Sequence, residues 1–543
     1  MDAGLEISKS WLKNPQEFLS RLTRYNMALY SIFFEYFLRT IGQENPKVLP
    51  KQKWDQRFRE DIWYENDFLH AWMEVYLLND KWFHLMIMET PGVSDEIKLR
   101  FAYWMRQFLI AYSPTNFFFS NPFAVRKVLD SSGRTFFKSF KNFLNDLKHG
   151  QLPPLVDMER FKVGVNLALS RGKVIFRNNL LELIHYEPKK QNVREIPILF
   201  IPAWINKYYI LDLTPKMSMV NYLLENGFNV YMISWKNATS DMRNISFENY
   251  LIDGALQTTL QVMEHSGSKS VHPVGYCVGV ILLTTLMAYI NHPEEKNYRD
   301  IIKSWTLLAT LVDFSNPGDI KSFLANRAIE YLEDLMEKQG YLDRKYMFNT
   351  FRFLRSDSLV WRVARERYLY GEDPSHLEVF YWNSDNTRIP KKTHSFFLRQ
   401  FYKSNNLCTN KLSINGRLLD LSNILVPLYC VATEDDHIAP WKEIFKVGKY
   451  VNSDVQYTLS SSGHVLGIVN PPDKNSKNFY WTNKIQKNQT SGEWIASAIK
   501  REGSWWLDWC NWLFSKLGNE IEFEKIKKND KDCIDAPGQY VLE

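Results

Sequence analysis

The chain has 543 residues, 45% hydrophobic and 15% aromatic, enough for a large core spread over two or more domains or one domain with insertions. Its net charge of +6 is modest for this length and is dispersed. Even the densest basic stretch, Lys525 to Lys531, is interleaved with acids, so a nucleic-acid-binding role gains little support.

The opening "MDAGLEISKSWLKNPQ" has an early acid and no apolar h-region, so neither a signal peptide nor an anchor is expected. The longest apolar run, 278–290, is too short to span a bilayer. Cys277, Cys408, Cys430, Cys510 and Cys533 are odd in number and lack C-x-x-C spacing. That argues against a disulfide framework and a zinc site, and for a reducing, cytoplasmic compartment.

Residues 1 to about 155 read as a helical domain. "FLSRLTRYNMALYSIFFEYFLRTIG" and "FLHAWMEVYLLNDKWFHLMI" repeat apolar side chains every three or four positions. "FKSFKNFLNDLKHG" continues the pattern to a stop at Gly150, followed by Pro153 and Pro154. Stripes of this kind most often pack helix on helix; a partner surface is the other reading.

Strand signals follow. "KVIFRNN" and "LELIHYE" alternate and are expected to pair, and "IPILFIPAW" (196–204) is the continuous apolar run of a central strand. A helix "MSMVNYLLENG", a strand "NVYMISW" and a helix "FENYLIDGALQTTLQVMEHSG" come next. After them stand a strand "SVHPVGY", a helix "VGVILLTTLMAYI" and buried strands at 304–310 and 426–433. Such alternation predicts an α/β fold: a mostly parallel sheet with helices on both faces. Between about 313 and 423 the rhythm is lost for roughly 100 residues, too long for a simple crossover, so the span reads as a cap inserted over an active site. The catalytic domain is expected over 156–515, with a charged linker and tail over 516–543.

One strand-to-helix junction carries the chemistry. "VGYCVGV" sets Gly275 and Gly279 two places either side of Cys277, the layout of a nucleophile elbow with cysteine where serine is usual. An elbow holds its central side chain above the sheet and aims the next backbone N–H, that of Val278, at the same point. Alone the pattern is weak, and a small apolar filler at position 277 is the commoner use of a buried cysteine. Two downstream loops change that balance. "VPLYCVATEDDHIAPW" sets Glu434, Asp435 and Asp436 just after a buried strand, and "VQYTLSSSGHVLGIVNPP" sets His464 after the next. Nucleophile, acid and histidine in that order are what the α/β-hydrolase fold uses. Spacing leaves Asp435 and Asp436 nearly equal. His437 follows the acids too closely to be their partner and reads as a residue that orders the loop; His272, inside a strand, reads as a satisfied core histidine. The second half of an oxyanion hole is expected from the loop "IPAWINKYYILDL", at the N–H of Trp204 or Ile205.

"PAWINKYYILDL", "GYCVGV", "TLVDFSNPGD", "FYWNSDNTRIP", "EDDHIAPW", "SSSGHVLGIVNPP", "YWTN" and "EGSWWLDW" stand here in the same order as in polyhydroxyalkanoate synthases. The resemblance is to the class I, single-subunit kind and runs from "DQRFREDIWYEND" (55–67) to "APGQYV". It implies an α/β-hydrolase domain with a cap, a helical N-terminal domain, a homodimer and attachment to polyester granules. It implies joining of 3-hydroxyacyl-CoA, above all 3-hydroxybutyryl-CoA, to a growing polyester with release of CoA and no separate cofactor. Carried over, Cys277 is the nucleophile, Asp436 the acid and His464 the base. Val280, Ala203 and Leu466 depart from the residues common in the family, and Leu466, two places past the histidine, bears on the acyl pocket. The rival readings are a polyester depolymerase or acyl-CoA thioesterase of the same fold, and a non-catalytic granule-coating protein.

A thioester substrate accounts for the cysteine. Attack by Cys277 exchanges one thioester for another at little energetic cost and keeps the acyl group activated for the next hydroxyl. A serine ester lies lower and suits hydrolysis better. Whether Asp436 works through His464 or directly on the attacking hydroxyl is open at this level.

Overall fold

The computed structural model describes residues 2–43, 55–150, 152–523 and 533–543; the Lys525 to Lys531 tract lies outside them. The chain divides into two compact units: residues 1–157 with 349–375, and residues 158–348 with 376–543.

The first unit is helical. Its main helices are α1 (Asp2–Lys13), α2 (Pro15–Thr40), α3 (Asp67–Met88), α4 (Asp95–Ala111), α5 (Pro122–Asp130) and α6 (Arg134–Lys148). Local chemistry sets their starts. Pro15 and Pro122 occupy first-turn positions, where a missing N–H costs nothing, and the side chains of Asn66 and Asn121 accept from Leu69 N and Ala124 N. The stretch 349–375, which the sequence assigns to the cap, clusters here instead. Arg367 reaches Asp146 of α6 with two nitrogens, at 2.5 and 2.9 Å, and the Tyr368 hydroxyl donates to the same carboxylate at 2.9 Å. A bidentate guanidinium–carboxylate pair is directional enough to fix that segment on α6. The anticipated single cap over 313–423 is therefore split between the units.

The aromatic stripes of this unit are only partly used for packing. Ile7, Trp11, Met86, Ile87 and Val93 form one small core, and Phe58, Trp63, Met73 and Tyr76 another. Phe33, Phe34 and Phe37 of α2 stay exposed, as do Phe137, Phe140 and Leu147 of α6. Amphipathic spacing identifies an apolar face but not whether anything covers it.

The second unit is built on a ten-stranded sheet: β1 (Gly172–Arg177), β2 (Leu181–Tyr186), β3 (Ile198–Ile201), β4 (Val230–Trp235), β5 (His272–Tyr276), β6 (Trp305–Leu308), β7 (Leu428–Thr433), β8 (Val455–Ser460), β9 (Phe479–Lys484) and β10 (Ile499–Glu502). Their order is β1-β2-β4-β3-β5-β6-β7-β8-β9-β10. The six strands from β4 to β8 are parallel; β1 with β2 and β9 with β10 extend the two ends antiparallel. β3, β5 and β6 are buried at every position, which is why they appear in the sequence as unbroken apolar runs. Helix α7 (Met219–Glu225) follows β3, α8 (Gln257–Ser266) follows β4 and α9 (Gly279–Ile290) follows β5. Every residue of α9 is buried, so the apolar run 278–290 is a core helix. No helix of the described residues is long and apolar enough to cross a membrane.

The C-terminal stretch is docked rather than loose. Glu520–Glu522 pairs antiparallel with Asn192–Arg194. Beyond the undescribed residues, Ile534 O accepts from Val174 N at 2.8 Å, and Ala536 N donates to Gly172 O at 2.9 Å. Gln539 N and Tyr540 N donate to the buried Glu182 carboxylate at 2.9 and 3.1 Å. The charged tail expected from composition is thus in part an edge element of the fold, because its polar backbone satisfies groups that β1 and β2 leave unpaired.

Candidate active site

Cys277 sits between β5 and α9 with φ of +51°, in the left-handed region. A non-glycine residue there costs of order 1–2 kcal/mol, and such strain persists only where the surroundings impose it. Both flanking glycines are required by contact. A Cβ on Gly275 would stand 2.9 Å from Val280 Cα, and one on Gly279 would overlap the Ile201 carbonyl oxygen and the Pro202 backbone. The end of β3, and the loop that continues from it, therefore abuts the first turn of α9. Val280 is fully buried, and the turn closes on its Cα through Gly275.

The structure brings Cys277, His464 and Asp436 into one line. His464 Nε2 lies 3.4 Å from Cys277 Sγ, and His464 Nδ1 lies 2.7 Å from Asp436 Oδ2. Asp436 Oδ1 accepts the N–H groups of Ile438 and Ala439 at 2.8 and 2.9 Å, and Thr433 Oγ1 donates to Oδ2 at 3.3 Å. Both carboxylate oxygens are thus occupied within the protein. Asp435, which spacing left nearly equal, is exposed, and its N–H donates to Ser462 O.

Electrostatics follow from this arrangement. Burial works to raise the Asp436 carboxyl, but the His464 ring and the two N–H groups outweigh it and hold it below the usual carboxylate range. Burial disfavours the His464 imidazolium, yet Asp436 and then Cys277 raise it well above the ordinary histidine value. The phenol of Tyr276 is pushed far up by burial and by the charge at Cys277 and Asp436.

The remaining predicted residues fall around this line. The backbone N–H groups of Val278, Trp204 and Ile205 donate to no acceptor among the described residues. Trp204 and Ile205 are buried, as is Ala203. Leu466 is 47% exposed, on the loop just past His464. His437 is half-buried, with its carbonyl against Gly318. His272 is a core histidine: its ring nitrogens meet Ser304 Oγ at 2.7 Å and Thr306 Oγ1 at 3.0 Å, and burial lowers its pKa to about 3.

Several residues that matter to the site had no role assigned to them from the sequence. Trp505 and Trp506, from "EGSWWLDW", each donate an indole N–H at 2.9 Å, to Gly467 O and Ile468 O, and so pin the loop carrying His464. Gly467 has no room for a Cβ against Thr433 and the carbonyls of Gly463 and Ser461. Tyr402, near the end of the insertion, packs its ring on Phe314 and Phe397 at 4.7 and 5.1 Å. Its phenol is raised first by burial and then by the charge at Cys277. A lone tyrosine more than 120 positions from the elbow has no spacing rule that would connect the two.

The chain matches two family models: "Poly-beta-hydroxybutyrate polymerase (PhaC) N-terminus" over residues 54–223, and "alpha/beta hydrolase fold" over residues 196–471. It is similar to the poly(3-hydroxyalkanoate) polymerase subunit PhaC of Rhizobium etli, 33% identical over 550 residues, covering 99% of this chain and 85% of that one. It is likewise similar to the poly(3-hydroxyalkanoate) polymerase of Methylorubrum extorquens, 34% identical over 539 residues, covering 98% and 88%. Among solved structures it is similar to an esterase (EaEST) from Exiguobacterium antarcticum, at 12% identity and a TM-score of 0.29 over 55% of this chain and 92% of that one. The fold is that of the α/β-hydrolases, with a mostly parallel sheet and a helical region before it.

Proposed function

The chain belongs to the poly(3-hydroxyalkanoate) polymerases, and from that premise we propose that its acyl transfer runs through a covalent thioester on Cys277. It is an acyltransferase that polymerises 3-hydroxyacyl-CoA into polyhydroxyalkanoate with release of CoA. The observation that carries the proposal is the unbroken line from Cys277 Sγ through His464 to Asp436.

In the first step His464 Nε2 takes the thiol proton and Sγ attacks the acyl carbonyl. The oxyanion is received by the N–H groups of Val278 and of Trp204 or Ile205, donors worth about 3 kcal/mol each in such sites. Collapse expels CoA, which leaves with the proton from His464. In the second step a 3-hydroxyl gives its proton to His464 and attacks the acyl-cysteine; the new ester forms and Sγ departs to be reprotonated. Asp436 acts through His464 rather than on the hydroxyl. Both of its oxygens are already engaged and its side chain is buried, which leaves no acceptor facing a substrate. CoA is part of the substrate and a product, and the scheme draws on no separate cofactor.

The finer reading is a class I enzyme for short acyl groups, above all 3-hydroxybutyryl-CoA, with Leu466 helping to set acyl length and His437 ordering the acid loop. It acts in the cytoplasm as a homodimer at the surface of polyester granules. The open aromatic faces of α2 and α6 support a surface-bound enzyme, since contiguous exposed rings of this extent mark a partner or an apolar surface.

The test is to supply 3-hydroxybutyryl-CoA to the purified protein and follow free CoA and turbidity together. Both should rise with the natural chain and neither with Cys277→Ala. Free hydroxyacid with CoA and no polymer would instead make it a thioesterase.

A further inference from the structure

The loop that leaves β3 has no regular structure of its own over residues 202–205, yet an oxyanion hole needs its N–H groups held to within about 0.5 Å. The start of the loop is anchored by Trp235 Nε1, which donates to Pro202 O at 2.8 Å, and by the Trp204 ring packed on Phe247, Tyr250 and Phe397. The hydrogen bonds from Trp204 onward come from one short strap of the insertion, residues 382–387, in the same unit of the fold. Trp382 Nε1 donates to Lys207 O at 2.7 Å, Asn206 Nδ2 to Asn386 Oδ1 at 3.0 Å, and Thr387 Oγ1 to Trp204 O at 3.1 Å. Asn206 and Asn386 also form an antiparallel backbone bridge. At the centre lies an ion pair, Lys207 Nζ to Asp385 Oδ1 at 2.9 Å, whose side chains are only 7% and 14% exposed. The Tyr209 hydroxyl donates to the other oxygen of Asp385 at 2.8 Å.

Two charges withdrawn from water carry a desolvation cost that an apolar pair of the same volume would avoid, so such a pair is poor evidence for stability alone. What it does supply is direction. Lys207 follows the proposed donors by two or three residues, and Asp385 is the strap residue that fixes both Lys207 and Tyr209.

We propose that Lys207 and Asp385 are positioning residues that hold the Trp204–Ile205 backbone in oxyanion-binding geometry, so that the site reaches full rate only while the 382–387 strap is seated. The proposal rests on the thioester reading above. It makes this part of the insertion an integral part of the catalytic apparatus as well as a cover. Any movement that lifts the strap also dissolves the hole, which ties opening of the site to loss of acylation.

The experiment compares two reactions of the same cysteine in the full-length protein. Asp385→Asn keeps an acceptor for Tyr209 and leaves Lys207 without its counter-charge; Lys207→Met removes the cation. Single-turnover release of CoA from 3-hydroxybutyryl-CoA should fall by about 10- to 100-fold in each, with KM changed by less than about threefold. The double variant should be no slower than the worse single one. Alkylation of Cys277 by iodoacetamide develops no oxyanion, so its rate should stay at the wild-type value, and it counts the intact sites. Lys207→Arg should recover part of the lost rate. Acylation at the wild-type rate per alkylatable cysteine would overturn the proposal, as would alkylation and acylation falling together. Should Asp385→Asn not yield folded protein, Thr387→Val, which removes a single contact to Trp204 O, takes its place with the same two readouts. If Cys277→Ala released CoA as fast as the natural chain, the thioester reading itself would fail, a result the strap variants cannot produce.

Discussion

Gly279 lies so close to Ile201 that a Cβ on the glycine would overlap the strand's last carbonyl oxygen. This one contact sets the elbow beside the loop proposed to complete the oxyanion hole, two features 70 residues apart in sequence. Gly279→Ala must push β3 and α9 apart. We expect a stability loss of about 1–3 kcal/mol, read from urea unfolding, and a fall in CoA release larger than that loss explains. An alanine variant with wild-type stability and rate would show that the approach is not needed.

Serine at position 277 separates acylation from chain growth. An oxygen ester on the enzyme is less activated than a thioester, so Cys277→Ser should trap an acyl group visible as a mass increase while forming no turbid polymer. Sustained polymer growth by the serine variant would remove the energetic case for cysteine.

Asp436→Asn tests the charge pair through pH. The Asp436 carboxyl is held below its ordinary value, so its contribution to stability is present above about pH 4 and is lost as pH falls through the depressed folded value. His464 is raised, so its contribution is full below about pH 6.5 and is lost as pH rises through the raised folded value. The gap between natural chain and variant should therefore be widest between those limits, at about 2 kcal/mol, and narrow on either side. A gap independent of pH would mean that the two side chains do not titrate as a pair.

Removal of residues 534–543 would strip two N–H donors from the buried Glu182 carboxylate, leaving Arg177 as its partner, and would take away the buried Val541. Loss of about 2–4 kcal/mol is expected, with a lowered Tm and no change in the pH profile of the remaining activity. A truncated chain as stable as the full one would return this segment to the status of a loose tail.

The open face of α6 bears on granule attachment. Phe137 and Phe140 are 73% and 52% exposed and their rings meet Phe136, itself exposed, so replacing both with Glu takes nothing from a buried core and should leave early CoA release from soluble substrate unchanged. Co-sedimentation with preformed polyester should fall by about tenfold or more. Undiminished co-sedimentation would place the attachment elsewhere.

The sequence by itself determined the parts of this protein whose physics is local. Apolar runs with few polar interruptions become strands buried on both faces, as in β3, β5 and β6, and Gly275 and Gly279, two places either side of Cys277, carry the layout of a tight turn. The order nucleophile, acid, histidine follows from where strands end in a parallel sheet, so Cys277 and His464 could be named from it; Asp436 was preferred over Asp435 on family resemblance alone. Only the tertiary structure decided what depends on pairings far apart in the chain. It is the buried Asp436, and not the exposed Asp435, that lies 2.7 Å from His464 Nδ1. The strap 382–387 found the loop after β3 across nearly 180 residues, and Trp505 and Trp506 found the loop of His464. The segment 349–375 left the cap for α6 through Arg367 and Asp146, and the last residues closed over Glu182. None of these pairings has a periodicity to betray it: a hydrogen bond or ion pair needs one partner at one distance, and only the folded chain supplies it.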